Sequence, residues 1–397
     1  MACYTNDKAK LEKVVADMRR RTASHVTGGF TTDMGSDYMI LDADIYRDSA
    51  RFDKEMENIF GKLPLLACFS SDIPDPGSTY LFTEVGPEII VTRNKEGEVV
   101  AFLNVCPHRG AAVIGSSGDY KRFSCPFHGW TFDLSGNLIG LPGEASFQGM
   151  SKKDRALVRV PCEEWNGLVF VKIAGEPEDI DVEHYLTSLA PQLSLIDFNQ
   201  FVKVKSDRLD VEANWKTALD TYLECYHFAD LHRDGLGQLY MSNVMIHDAF
   251  EPHCRLVYTS KDYLEYAHKP EDEWPYQHYE GVHLLFPNTI LTLNNLNGSL
   301  NIGTYRIFPN GSVGRAFSVM TTYAPRNLPE HKTVDEWIDG HDFVVNTVST
   351  EDYVVARTAW RNLSRNPTKT YFVLGRNEVA IQNFERMVAK HCGLPLV

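Results

Sequence analysis

No apolar run in the 397-residue chain approaches the roughly 20 residues that a bilayer-spanning helix needs. The N-terminal MACYTNDKAKLEKVVADMRRR is charged and helical in pattern, without the apolar centre of a secretory signal. Basic blocks, internal repeats and low-complexity segments are also missing. With 39 Lys+Arg against 53 Asp+Glu, the formal net charge is −14. Such a surface repels phosphate backbones, which excludes nucleic acid as a natural partner. The eight cysteines (3, 68, 106, 125, 162, 225, 254 and 392) are scattered and have no secretory context, so a disulfide framework is not expected. A dinucleotide fingerprint is absent too: Gly235-Leu-Gly237 lacks the third glycine and a preceding strand. The expectation is a soluble, cytoplasmic protein with no membrane segment.

What is present is an ordinary globular balance, 43% apolar and 23% charged, on a chain long enough for two cores. Residues 5–20 and 51–60 read as helices. From about Pro64 to Ala174, short apolar runs such as EIIVTR, EVVAFLNV and NGLVFVKI alternate with turn signals such as IPDPGS and GSSGD. AGEPEDIDVEH (174–184) reads as an acidic linker. Beyond it, 214–232, 332–363 and the C-terminal NEVAIQNFERMVAKHC have helical patterns. They flank strand-like runs such as LLFPNTILTLNNL, LNIGTYRIF and RAFSVMTTYA. The expected class is α+β: a helical segment over 1–45 packing on the larger domain, a small all-β domain over 46–175, and a larger domain over 176–397 with a central antiparallel sheet flanked by helices.

The strand-rich part holds Cys106-Pro-His108-Arg-Gly and, with 16 residues between His108 and Cys125, Cys125-Pro-Phe-His128-Gly-Trp130. Two Cys and two His are a legitimate tetrahedral zinc set, as in zinc fingers, where the two Cys lie in one half and the two His in the other. Here each short loop carries one of each. That distribution suits a two-iron cluster to which each loop sends its Cys on one iron and its His on the other. The other six cysteines read as small buried hydrophobes.

A second cluster stands at Glu224-Cys-Tyr-His227-Phe-Ala-Asp-Leu-His232. Glu224 and His227 would share a helix face. His227 and His232 are five apart, roughly 140° around an ideal helix, so the helix must bulge or end for both to reach one metal. Asp234-Gly235 supplies a stop signal. Two histidines and a carboxylate with open positions form the facial triad of O2-activating iron(II) enzymes.

Cys106-Pro-His108-Arg-Gly with Cys125-Pro-Phe-His128-Gly-Trp130 resembles the signature of the Rieske non-haem iron oxygenases, catalytic α subunit, and the likeness runs over most of the chain. The resemblance implies a Rieske [2Fe–2S] cluster on Cys106, His108, Cys125 and His128, with Gly110 and Gly129 letting amides approach the sulfurs. It also implies a mononuclear iron(II) on His227, His232 and a distant Asp. The stretch Thr350-Glu351-Asp352-Tyr resembles the helix that carries that Asp, which places the ligand at Asp352. Sequence alone does not choose among Glu336, Asp339, Asp342, Glu351 and Asp352, and Glu351 is the chief rival.

Glu224 departs from the family's usual Asp, which bridges a Rieske His of the neighbouring subunit to an iron His. Glu at this position is associated with members acting on quaternary ammonium compounds. Asp220, one turn earlier, reads either as a support of this site or as a solvated position. The resemblance further implies a homotrimer, with a β subunit compatible. It calls for electrons from a separate NAD(P)H-dependent flavin reductase, directly or through a ferredoxin, and for a small-molecule substrate beside O2. Aromatic hydroxylation is the leading activity. Oxidative N- or O-demethylation and quaternary-ammonium oxidation are the alternative, and a Rieske electron carrier or a zinc-stabilised module are the non-catalytic rivals. Tyr222, Tyr226, Phe228 and Phe286 are candidate pocket residues. Trp274, Tyr276 and Tyr279 read as a cation cage, an arene stack or plain packing.

Overall fold

The computed structural model describes residues 3–4, 7–270, 273–274, 279–296 and 298–396. The chain divides into two compact units, Phe60–Tyr185 and the combination of Met1–Ile59 with Leu186–Val397.

The β-branched and aromatic runs of the smaller unit form three antiparallel sheets. The five-stranded one is built around Ser78–Phe82, Ile89–Arg93 and Val99–Leu103. A three-stranded one joins Leu65–Phe69, Leu168–Val171 and Cys162–Trp165, and another joins Phe123–Ser124, Thr131–Phe132 and Leu138–Gly140. Phe102, Phe123, Trp130 and Phe132 fill a core in which Cys106 and Cys125 are also buried.

The larger unit is organised on a seven-stranded antiparallel sheet. Its order is Phe201–Val211, Ala316–Pro325, Ser299–Pro309, Thr289–Leu296, Gly281–Leu285, His253–Ser260 and Tyr240–Phe250. The helix Lys8–Thr27 contacts the 240–250 strand, and Asp335–Thr347 contacts the 316–325 and 201–211 strands. The α+β class expected from the sequence is the one observed. Among the described residues no helix is long and apolar enough to cross a membrane.

Three local features differ from the sequence reading. Residues 46–59 belong with the larger unit, because the helix Ser49–Glu55 packs on Val379–Cys392. Its Glu55 accepts from Lys216 Nζ at 2.7 Å and Trp215 Nε1 at 2.9 Å, a fully buried arrangement. Residues 176–185 stay with the smaller unit, where Lys172 Nζ donates to Asp179 O at 2.9 Å and Val182 N to Glu163 Oε2 at 2.8 Å. The stretch 214–232 is not one helix. Trp215–Asp220 is helical, the chain then turns, and Tyr226–Ala229 forms a single tight 3-10 turn.

Candidate metal centres

Cys106 and Cys125 head two short loops, each closed in the same way. Cys106 N donates to Ala111 O and Gly110 N to Cys106 O; Cys125 N donates to Trp130 O and Gly129 N to Cys125 O. Gly110 (φ +78°) and Gly129 (φ +70°) supply the left-handed turn each loop needs. Their own amides are spent on the cysteine carbonyls, and the turns they make let other backbone amides approach the sulfur. The amides of His108 and Arg109 do that for Cys106. Burial raises the Cys106 thiol pKa, these amides lower it, and the adjacent Cys125 thiol raises it again, leaving it above its ordinary value.

Although each loop mixes its ligands, space sorts them by type. The two thiols are neighbours in the core, 2% and 3% exposed. The His108 and His128 rings lie together with centroids 4.6 Å apart, towards solvent. Trp130 stacks on His108 at 4.8 Å and fixes its ring plane. Sulfur beside sulfur and imidazole beside imidazole is the donor set of a [2Fe–2S] cluster with one all-sulfur iron and one histidine iron. The exposed rim carries Phe127, with Arg109 Cζ 5.0 Å from its ring centroid.

In the larger unit, the ligand atoms of His227, His232 and Asp352 lie within 4.8 Å of one another. His227 Nε2 and His232 Nε2 are 3.0 Å apart, and Asp352 Oδ1 is 3.6 and 3.5 Å from them. Two neutral imidazoles and a carboxylate converging on one point can hold a single divalent ion. Local structure explains the aim of each side chain. After the helix ends at Asp220, Glu224 folds back, accepts from the amides of Tyr226 and His227, and touches His227 Nδ1. The helix stop expected at Asp234-Gly235 therefore comes earlier, and Glu224 reaches His227 from a turn and not along a helix face.

Asp352 closes a π turn, Val348–Asp352, between the helices Asp335–Thr347 and Tyr353–Arg365. The wider turn shifts helical phase and points Asp352, 4% exposed, at the two Nε2 atoms. Glu351 lies on the other side of His232 and accepts from Nδ1 at 2.6 Å. Burial lowers the His232 pKa, but Asp352 and Glu351 outweigh it and hold the ring above its ordinary value. The sequence offers Glu351 only as a rival ligand.

The pocket candidates part company. Phe228 lies edge-on to His227 at 5.0 Å and is tilted on His232 at 5.5 Å. Tyr222 packs on Tyr305 at 5.6 Å, and its carbonyl accepts from Tyr258 OH at 2.6 Å. Tyr226 is 60% exposed. Phe286 stacks on His391 and packs on Phe384, in the core beneath the C-terminal helix. Two residues the sequence reading did not select, Tyr240 and Tyr258, complete the aromatic group around Phe228. Their signal, alternate positions on strands bordering the iron loop, needs the sheet register to be read. Trp274 stacks on Tyr263, Tyr279 stacks on His283, and Tyr276 lies outside the described residues. Asp220 joins a buried cluster, accepting from Tyr46 OH at 2.9 Å.

A family model described as the Rieske [2Fe–2S] domain matches residues 64–160. One described as the ring hydroxylating alpha subunit (catalytic domain) matches 198–394. The carnitine monooxygenase oxygenase subunit of Acinetobacter pittii is 32% identical over 195 residues, covering 47% of this chain and 51% of that protein. The biphenyl 2,3-dioxygenase subunit alpha of Rhodococcus jostii is 36% identical over 144 residues, covering 36% of this chain and 31% of that protein. The chain thus spans about half the length, or less, of these relatives. Among solved structures, the quaternary ammonium Rieske monooxygenase CntA with L-carnitine superposes with a TM-score of 0.75 at 21% identity, over 95% of this chain and 98% of that one. Naphthalene 1,2-dioxygenase with indole gives 0.72 at 19% identity, over 92% and 94%. The two matched domains imply a Rieske cluster and a mononuclear iron, and the sorted quartet and the convergent triad are donor sets that fit them. With its Rieske domain and its ring-hydroxylating catalytic domain both present, the chain belongs to the Rieske non-haem iron oxygenase α-subunit family.

Proposed function

We propose that this protein is the terminal oxygenase component of a multicomponent Rieske oxygenase. It would use O2 and electrons from a separate NAD(P)H-dependent flavin reductase, directly or through a ferredoxin, to oxygenate a small organic substrate. The observation that carries the reading is the convergence of His227 Nε2, His232 Nε2 and Asp352 Oδ1. Three ligands leave positions for O2 beside substrate. When bound, the cluster on Cys106, His108, Cys125 and His128 supplies one-electron transfer, and iron(II) on the triad supplies O2 activation.

The chain's own residues hold and orient. Glu224 fixes the His227 ring through Nδ1 and so aims Nε2 at the triad's centre; Glu351 does the same for His232. Phe228, 4% exposed, packs against both rings and shields them from water on that side. The exposed His128 and Phe127 leave the histidine side of the cluster open to Glu224 of a neighbouring subunit, the arrangement that electron transfer between subunits of a cyclic trimer needs.

For substrate, an aromatic ring is one class that the tyrosine-rich surroundings of Phe228 accept. Quaternary-ammonium oxidation or demethylation is the second, favoured by Glu224 and by relatives named for carnitine and glycine betaine. The test combines metal analysis, expecting about three irons per chain, with EPR of the reduced protein. Coupled O2 uptake is then compared across aromatic acids, methylated amines and quaternary ammonium compounds with a surrogate reductase. Absence of a Rieske signal, or a single zinc per chain, ends the reading.

A further inference from the structure

Antiparallel register identifies which face of the large sheet meets the iron loop. Leu256 pairs with Val282, Val282 with Thr292, and Thr292 with Gly303, while Cys254, Leu284, Ile290 and Tyr305 pair in the parallel row two residues on. Directly opposed residues, and residues two apart along a strand, share a face. Tyr305 meets Tyr222 on that face, and Tyr258 meets Phe228 at 5.2 Å. The sheet surface opposite the triad is therefore aromatic and apolar, with hydroxyls from Thr292 and Tyr305.

One carboxylate stands at its edge. Glu280 immediately precedes the 281–285 strand, two residues before Val282, whose partner Leu256 lies two residues from Tyr258 on the same face; its charge also acts on the phenols of Tyr240 and Tyr263. Tyr240 is itself in ring contact with Phe228 at 6.3 Å and Tyr258 at 6.5 Å. Among the described residues Glu280 has no hydrogen-bond or ion-pair partner. Desolvation pushes its carboxyl up to about 7. The other charges near this edge are Asp262, close to both phenols, and Arg19, close to Tyr263.

We propose that Glu280, together with the rings of Tyr240, Tyr258 and Phe228, selects substrates that carry a positive charge, a quaternary ammonium or a methylated amine. This rests on the oxygenase reading and assigns its substrate class. Ring faces attract a cation through their quadrupoles without needing a hydrogen-bond donor. A carboxylate left unpaired in such surroundings is costly, so an arriving cation takes the place of the proton that the empty site keeps. Affinity for a cation therefore falls as pH drops below about 7, where Glu280 is protonated.

The test uses the iron-loaded full chain and two probes of one shape, choline and its neutral carbon isostere 3,3-dimethylbutan-1-ol. Isothermal titration calorimetry at pH 8 should show choline preferred by about tenfold, with the preference shrinking below pH 7. E280Q should abolish both the preference and its pH dependence, and E280D should keep part of each. Should E280Q fail to fold, E280D and the wild-type pH dependence decide. Equal affinity for the two probes, a preference that survives in E280Q, or no measurable choline binding overturns the assignment. Iron content and the reduced-state EPR signal of the same samples test the oxygenase reading separately.

Discussion

Glu351 Oε2 lies 2.6 Å from His232 Nδ1, while its sequence neighbour Asp352 faces Nε2 of the same ring at 3.5 Å. Adjacent acids thus act on opposite edges of one imidazole, and their variants should behave differently. Asp352→Ala should empty the mononuclear site and leave about two of three irons per chain. Glu351→Gln should keep the iron but weaken it by about 10–100-fold, as loss of a ligand's supporting carboxylate does. Chelator competition followed by metal analysis separates the two.

Glu224 is held by two backbone amides and touches His227 Nδ1. Glu224→Gln should leave the Rieske EPR signal unchanged and keep the iron at saturating metal, though bound more weakly, as for Glu351→Gln. Product formation coupled to NAD(P)H should fall by about 10–100-fold while the reductase still reduces the cluster. Full coupled turnover in the variant would remove Glu224 from the bridging role.

Gly303 sits where a side chain has no room. An added Cβ would lie 2.5 Å from Thr292 Oγ1 and 2.8 Å from Tyr305 Oη. Gly303 N also donates to that Thr292 oxygen at 3.1 Å. Gly303→Ala should cost about 1–3 kcal/mol by overpacking, visible as a lowered Tm. It should also displace Tyr305 towards Tyr222 and weaken substrate binding.

The buried acids behind the iron loop set a pH dependence of stability. Burial, then the charge of Glu385, holds the Asp220 carboxyl well above the ordinary range. Burial raises Glu385 too, against the pull of Lys216, whose Nζ is 3.7 Å away. A raised folded pKa means that the fold keeps a proton the unfolded chain releases above about pH 4, so stability declines as pH rises from there. Asp220→Asn and Glu385→Gln should flatten that decline, raising Tm at pH 8 and leaving it nearly unchanged at pH 4. Calorimetric scans at the two values check the sign.

Much of the candidate site was legible because its information is local. Cys106 with His108, Cys125 with His128, and His227 with His232 each lie within one short segment, so covalent spacing alone brings them near a common centre. The strand runs were legible for the same reason, since alternation and turn residues act over a few positions. Helical pattern misled at 214–232, where Glu224 exchanges helix hydrogen bonds for a turn closed on its own carboxylate.

By itself, the sequence determined the two-unit α+β architecture, the mixed-loop quartet and the histidine pair, all set by interactions close along the chain. Only the tertiary structure decided the rest. It sorted thiol with thiol and ring with ring, gave Asp352 and Glu351 opposite edges of His232, and sent Phe286 to the core beneath the C-terminal helix. It also put Tyr240 and Tyr258 against Phe228, beside the iron loop. Those placements depend on sheet register and on one π turn's change of helical phase. Register is set by pairing between whole strands, such as His253–Ser260 with Gly281–Leu285, and phase by the packed turn at 348–352, which short motif spacing does not encode.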